Sequence, residues 1–244
     1  GQRRYDPIYA AAERLGLPVA IHPGTEGRSI TTPPTSAGYP ARRVEWHTNL
    51  ALNYMAHATS LLCEGVFVRF PRLKVILLEG GVSWVPPLLW RLDRDWHLLR
   101  DEVPHLAEPP SAYFRRHIRL SSQPIEEPPD PRHLLDTWSL LDAEHTVMFS
   151  SDYPHWDFDD PYAAFPSQMP AAMKRRIYRE NARALFAAKL SALESPTQRS
   201  ARLPSGGAGA PSAAPLRPPR NASPPLPEAP AGGGGGVRGK HEPD

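Results

Sequence analysis

Residues 75–86 read VILLEGGVSWVP. An apolar run leads into Glu79, Gly80 and Gly81 follow, and apolar residues resume at Val82. Short apolar runs bounded by turn residues are how strands buried on both faces read. The stretch therefore predicts a buried strand, Leu73 to Glu79, that ends on a carboxylate. A charge in such a place is costly unless it is paired or held by a cation. Glu79 thus has a structural partner, a nearby Arg or Lys, or it faces a site.

The same pattern recurs on either side. LPVAIH (Leu17 to His22), IRLSS (Ile118 to Ser122) and HTVMFSSD (His145 to Asp152) each read as a short strand ending in polar residues. Helical segments separate them. Asp6 to Leu15 carries Ala10, Ala11 and Ala12 and stops at Gly16, and Val44 to Glu64 reads as one long helix closed by Gly65. Residues 82–103 place Trp84, Leu88, Leu92 and Trp96 on one face, with prolines near the helix start, where they are tolerated. SAYFRRH, PRHLLDTWSLL and Pro170 to Leu190 complete the helices. Buried strands alternating with helices imply parallel strands joined by crossovers. In such folds ligands bind at the carboxyl ends of the strands. Polar residues at every strand end (His22, Glu79, Ser121 with Ser122, Ser151 with Asp152) point to a shared site.

The bulk composition narrows the classes. The chain has 244 residues, 40% of them hydrophobic and 22% charged, an ordinary balance for a soluble domain. A net charge of +2 calls for no nucleic acid, and no apolar run approaches the ~20 residues of a membrane span. No secretory leader opens the sequence, and the single Cys63 excludes an internal disulfide and a cysteine-based zinc site, which suits a cytoplasmic protein. Residues 191–244 are dominated by Pro, Gly, Ala and Ser and include GGGGG. Such a tail cannot bury enough apolar surface to offset its ordering entropy and is expected to be disordered. PLRPP and PPLP within it match polyproline ligands in composition.

His22 and Asp152 together offer an imidazole and a carboxylate, a pair that suits Zn²⁺, Mn²⁺ or Fe²⁺ and suits Mg²⁺ poorly. Two ligands do not hold a metal well, so Glu79, His155 or protein outside this chain must add others. The loop GTEGRSITTPPTSAGYP is long for a connection, and long loops are often functional. Its Glu26 and Arg28, with His155 and Arg91, are candidate substrate contacts, although Arg91 has Asp93 and Asp95 as alternative partners. His47 and His57, ten residues apart on one predicted helix, share a face and suit packing or polar support.

Four stretches, GLPVAIHPG, GVFVRFPRLKVILLEGGVSWVPPLLWRLDRDW, FSSDYPHWD and RENARALF, taken in this order, resemble the amidohydrolase superfamily. The resemblance is to the branch of aminocarboxymuconate-semialdehyde decarboxylase and the hydroxybenzoate and resorcylate decarboxylases, and it covers about residues 5 to 187. It implies an α/β fold, a (β/α)₈ barrel with a divalent metal (Zn, Mn or Fe) at its carboxyl end. By position, His22 matches the metal-ligand histidine after the fifth strand and Asp152 the metal-ligand aspartate after the eighth. Glu79 falls where many relatives carry the histidine of a His-Gly-Gly motif, so Glu79 and Asp152 are the catalytic candidates.

The resemblance also implies that residues 1–190 are the last four β/α units of a barrel. The opening His-x-His or acidic ligand pair of the family has no counterpart in this chain. A half barrel exposes two strand edges, which a homodimer or a complementing segment would cover. The chain alone is accordingly expected to bind metal weakly and catalyse poorly. The expected activity is decarboxylation or hydrolysis of a small, perhaps aromatic, carboxylic acid. Two alternatives stand beside it: hydrolysis of an amide or ester by metal-bound water, and an inactive remnant serving as an interaction module.

Overall fold

The computed structural model describes residues 1–23 and 37–194, with side chains through 187. The chain divides into a unit spanning Gly1–Arg202 and a second, Leu203–Asp244. The second unit, the predicted tail from residue 195 onward and the loop residues Glu26 and Arg28 lie outside the described residues, whereas residues 191–194, expected to belong to the disordered tail, continue the last helix.

The first unit opens with helix α1 (Asp6–Leu15) and strand β1 (Val19–Ile21), then α2 (Arg43–Thr48), α3 (Leu50–Cys63), α4 (Val66–Arg69) and β2 (Val75–Leu77). Helices α5 (Val85–Leu98) and α6 (Pro110–His117) lead to β3 (Ile118–Ser121). After it come α7 (Pro131–Leu140), α8 (Ala143–Thr146), β4 (Val147–Met148), α9 (Ala171–Arg175), a π-helical turn (Arg176–Glu180) and α10 (Asn181–Glu194). Local chemistry sets several ends. Gly16 takes φ +62° and sends its N–H back to Ala12 and Glu13, closing α1 in the left-handed conformation glycine favours. Asp130 accepts the N–H of Arg132 at 2.9 Å, capping α7 ahead of Pro131.

All four strands pair in parallel, in the order β1-β2-β3-β4. Val19 aligns with Val75, Leu77 with Leu120 and Leu120 with Val147. Strand order thus follows chain order without reversal, as in a barrel and unlike a doubly wound sheet. Beneath the strands lies one core that includes Tyr54, Leu61, Phe67, Val75, Leu77, Phe114, Ile118, Leu120, Trp138, Val147 and Ile177. Helices α3, α5 and α6 pack against one another in it.

Three sequence expectations change. The helix expected from Val44 to Glu64 breaks at Asn49, which sits at φ −88°, ψ 2° between α2 and α3. Asn side chains compete for backbone hydrogen bonds and favour such positions. His47 and His57 consequently lie on different helices. The last helix carries the π-helical turn within its expected span. Strand β1, read as buried, is only half covered, with Ala20 exposed. Among the described residues it has a strand neighbour on one side only, whereas β2, between two strands, is buried throughout.

Candidate metal centre at the strand ends

The carboxyl ends of β1, β2 and β4 bring the chemistry together. Glu79 follows β2 by two residues, and its Oε2 lies 3.0 Å from Nε2 of His22, just past β1. The Glu79 side chain is 12% exposed and that of His22 54% exposed, so the carboxylate is sheltered behind the imidazole. His22 Nδ1 lies 2.6 Å from the carbonyl of Pro23. A carbonyl only accepts, so Nδ1 carries a hydrogen and Nε2 is the nitrogen turned to Glu79. A proton between Nε2 and Oε2, or a metal ion, completes that contact.

Asp152, beyond β4, accepts a hydrogen bond at Oδ2 from Nδ1 of His155 at 2.6 Å. Single donor atoms of Glu79, Asp152 and His155 all lie within 4.8 Å of one another. Two carboxylate oxygens and an imidazole nitrogen are a fitting donor set for Mn²⁺, Fe²⁺ or Zn²⁺. His22, expected as a ligand with Asp152, lies against Glu79 at the edge of this group. His155, expected as a further ligand or a substrate contact, has a ring nitrogen within it.

Backbone strain marks the same place. Glu79 has φ +63° and Asp152 φ +56°, the left-handed region that is unfavourable for residues other than glycine. Glu79 keeps this conformation with its N–H donated to Ser121 Oγ at 2.8 Å. Ser122 Oγ accepts the N–H of Ser150 at 3.2 Å. The strand-end serines therefore stitch β2, β3 and β4 together rather than line an opening; both are buried.

Electrostatics follow from the crowding of acids. The Glu79 carboxyl is raised above its ordinary value, first by burial and then by the Asp152 charge, with His22 opposing. Asp159 is pushed up to about 6, chiefly by burial, and its Oδ2 is buried without a hydrogen-bond partner among the described residues. Asp157 Oδ2 accepts from Gln123 Nε2 at 3.0 Å and lies 2.8 Å from His47 Nε2. The His47 ring also meets Trp156 at a centroid distance of 5.2 Å. Arg91 is exposed on α5 and makes no ion pair with Asp93 or Asp95 among the described residues. Glu126, Gln123, Asp157 and Asp159 escaped the sequence reading. Only the acid-rich run DYPHWDFDDP signalled the last two.

Comparison with known proteins identifies the family and the fold. The amidohydrolase family model matches residues 1–188. The gamma-resorcylate decarboxylase of Rhodococcus jostii (strain RHA1) is 26% identical over 195 residues, covering 75% of this chain and 54% of the relative. That of Rhizobium sp. (strain MTP-10005) shows the same identity and coverage. The chain thus spans about half the length of these curated relatives. The 5-carboxyvanillate decarboxylase of Sphingomonas paucimobilis superposes with a TM-score of 0.54 at 25% identity, over 76% of this chain and 54% of that one. A dihydroxybenzoic acid decarboxylase from Polaromonas sp. JS666, solved with bound manganese, gives a TM-score of 0.56 at 21% identity, over 77% and 55%. With a family model spanning nearly all of the described chain, the protein belongs to the amidohydrolase family.

Proposed function

We propose that these residues serve a divalent-metal-dependent decarboxylase of a small aromatic carboxylic acid. The observation that carries it is the meeting of Glu79, Asp152 and His155 at the carboxyl ends of parallel strands. The relatives' names favour decarboxylation over hydrolysis. Glu79, Asp152 and His155 would hold the metal, with His22 joined to them at Glu79. The metal would supply Lewis-acid polarisation and orientation of the substrate's oxygens.

The chain's own groups handle the proton. Decarboxylation requires a proton on the ring carbon, after which the bond to the carboxyl carbon breaks and its electron pair returns to the ring as carbon dioxide leaves. Asp152 and Glu79 are the acids at hand, and Glu79 is also backed by a half-exposed histidine. His22 takes a proton from solvent and passes it from Nε2 to Glu79 across their 3.0 Å contact. Shelter of the carboxylate keeps competing water away and strengthens every charge interaction in the site.

The test is carbon dioxide release from 2,6-dihydroxybenzoate and 5-carboxyvanillate by the protein purified with Mn²⁺. With the chain spanning about half its relatives' length, slow release under saturating Mn²⁺ that stops on chelation and returns with Mn²⁺ is the expected result. No release from either acid, or release indifferent to chelation, contradicts the proposal. Glu79→Gln should lower the rate by about 10²–10⁴-fold, the usual scale for one acid–base group. An unchanged rate removes Glu79 from proton transfer.

A further inference from the structure

Glu126 stands outside the cluster and follows β3, yet it closes on the turn that leaves Glu79. Its Oε1 accepts the N–H groups of Val82 at 2.9 Å and Ser83 at 2.8 Å. Its Oε2 is buried without a hydrogen-bond partner among the described residues, so a single oxygen carries the whole contact. Gly81, beside those amides, has φ +62°, and a Cβ there would fall 2.6 Å from Glu126 Oε1. A Cβ on Gly80 would enter the ring of Tyr54, whose hydroxyl donates to the Leu78 carbonyl. The Gly-Gly pair therefore lets a carboxylate and an aromatic ring approach the turn from two directions.

Glu79 lies between these holds. Tyr54 fixes the carbonyl before it, Ser121 fixes its own N–H, and Glu126 fixes the amides three and four residues on. Glutamate does not choose φ +63° by itself, so the surroundings must impose it.

We infer that Glu126 is a positioning residue: it anchors the Gly80–Ser83 turn and thereby sets the Glu79 carboxylate against His22 and beside Asp152. The consequence for metal binding rests on the metal-dependent reading given above; the effect on the His22–Glu79 contact does not.

Two readouts on the full protein separate them. The first is the side-chain ¹⁵N resonances of His22 without metal, with buried His117 as internal control. Glu126→Ala should shift the His22 signals and leave those of His117 in place. Glu126→Gln, which keeps an oxygen for both amides, should restore them. Unmoved His22 signals in Glu126→Ala overturn the inference, as does a Gln variant that behaves like Ala. The second readout is Mn²⁺ titration, where Glu126→Ala should weaken binding about 10-fold or more and Glu126→Gln should not. Equal affinity in Glu126→Ala and wild type overturns the inference. If wild type takes up no Mn²⁺, the metal reading fails while the His22 resonances still decide the positioning role. Should Glu126→Ala not fold, Gly81→Ala displaces the same carboxylate, and His22 signals unchanged in that variant overturn the inference.

Discussion

Two acidic residues with positive φ, Glu79 and Asp152, approach each other from the ends of β2 and β4 with β3 between them, and the cost of that backbone is met by bonds around them. Removing either side chain should therefore hurt binding more than folding. Asp152→Ala should raise the Mn²⁺ dissociation constant by more than about 100-fold, beyond the 10–100-fold typical of outer-shell partners. Calorimetric titration checks this, and near-normal affinity would take Asp152 out of the ligand set. His22, Glu79, Asp152 and His155 were legible because each ends, or closely follows, a recognisable apolar strand. The partnership of His47 with Asp157 was not, because 110 residues separate them and neither position has a periodic pattern. Glu126 was hidden for a similar reason: it bonds backbone amides, and amides leave no mark in a sequence.

At the scale of elements, the strands and most helices followed from apolar runs, alanines, prolines and terminal glycines. Asn49 was the exception, since one polar residue within a helical pattern reads as tolerated until packing splits the helix there. His117, the last residue of α6, was silent in the sequence but is buried against Phe67, with ring centroids 4.6 Å apart and an interplanar angle of 14°. Its Nδ1 bonds the Leu73 carbonyl at 2.9 Å. Burial lowers its pKa from the ordinary 6.5. Below that value the unfolded chain takes up a proton that the folded form resists, so stability falls as pH drops from about 6.5 and is intact above it. The slope for one such group is at most about 1.4 kcal/mol per pH unit. Unfolding curves between pH 7.5 and pH 5 should show a shallower loss for His117→Phe than for wild type. Parallel slopes would contradict the assignment.

For the molecule as a whole, the decisive feature is a parallel sheet whose strands run in chain order and whose carboxyl ends gather the ionisable groups. Parallel strands were readable from their alternation with helices and a shared site from the polar strand ends, whereas strands in chain order followed only from the barrel that the family resemblance implies. The partial cover of β1 was not readable, because its apolar run looks like that of β2; only the neighbours differ. Among the described residues β1 has a strand neighbour on one side only, and such an edge is a template for pairing. The 244-residue chain should therefore sediment as a dimer or larger species at micromolar concentration, and a lone monomer peak would show that β1 is protected otherwise. Glu79, Asp152 and His155 converge on one place, the proposed seat of the metal. Crystals grown with Mn²⁺ and measured at the manganese absorption edge test it most directly. An anomalous peak bounded by these three side chains is the expected result; an empty map there, or manganese bound elsewhere, would contradict the metal site.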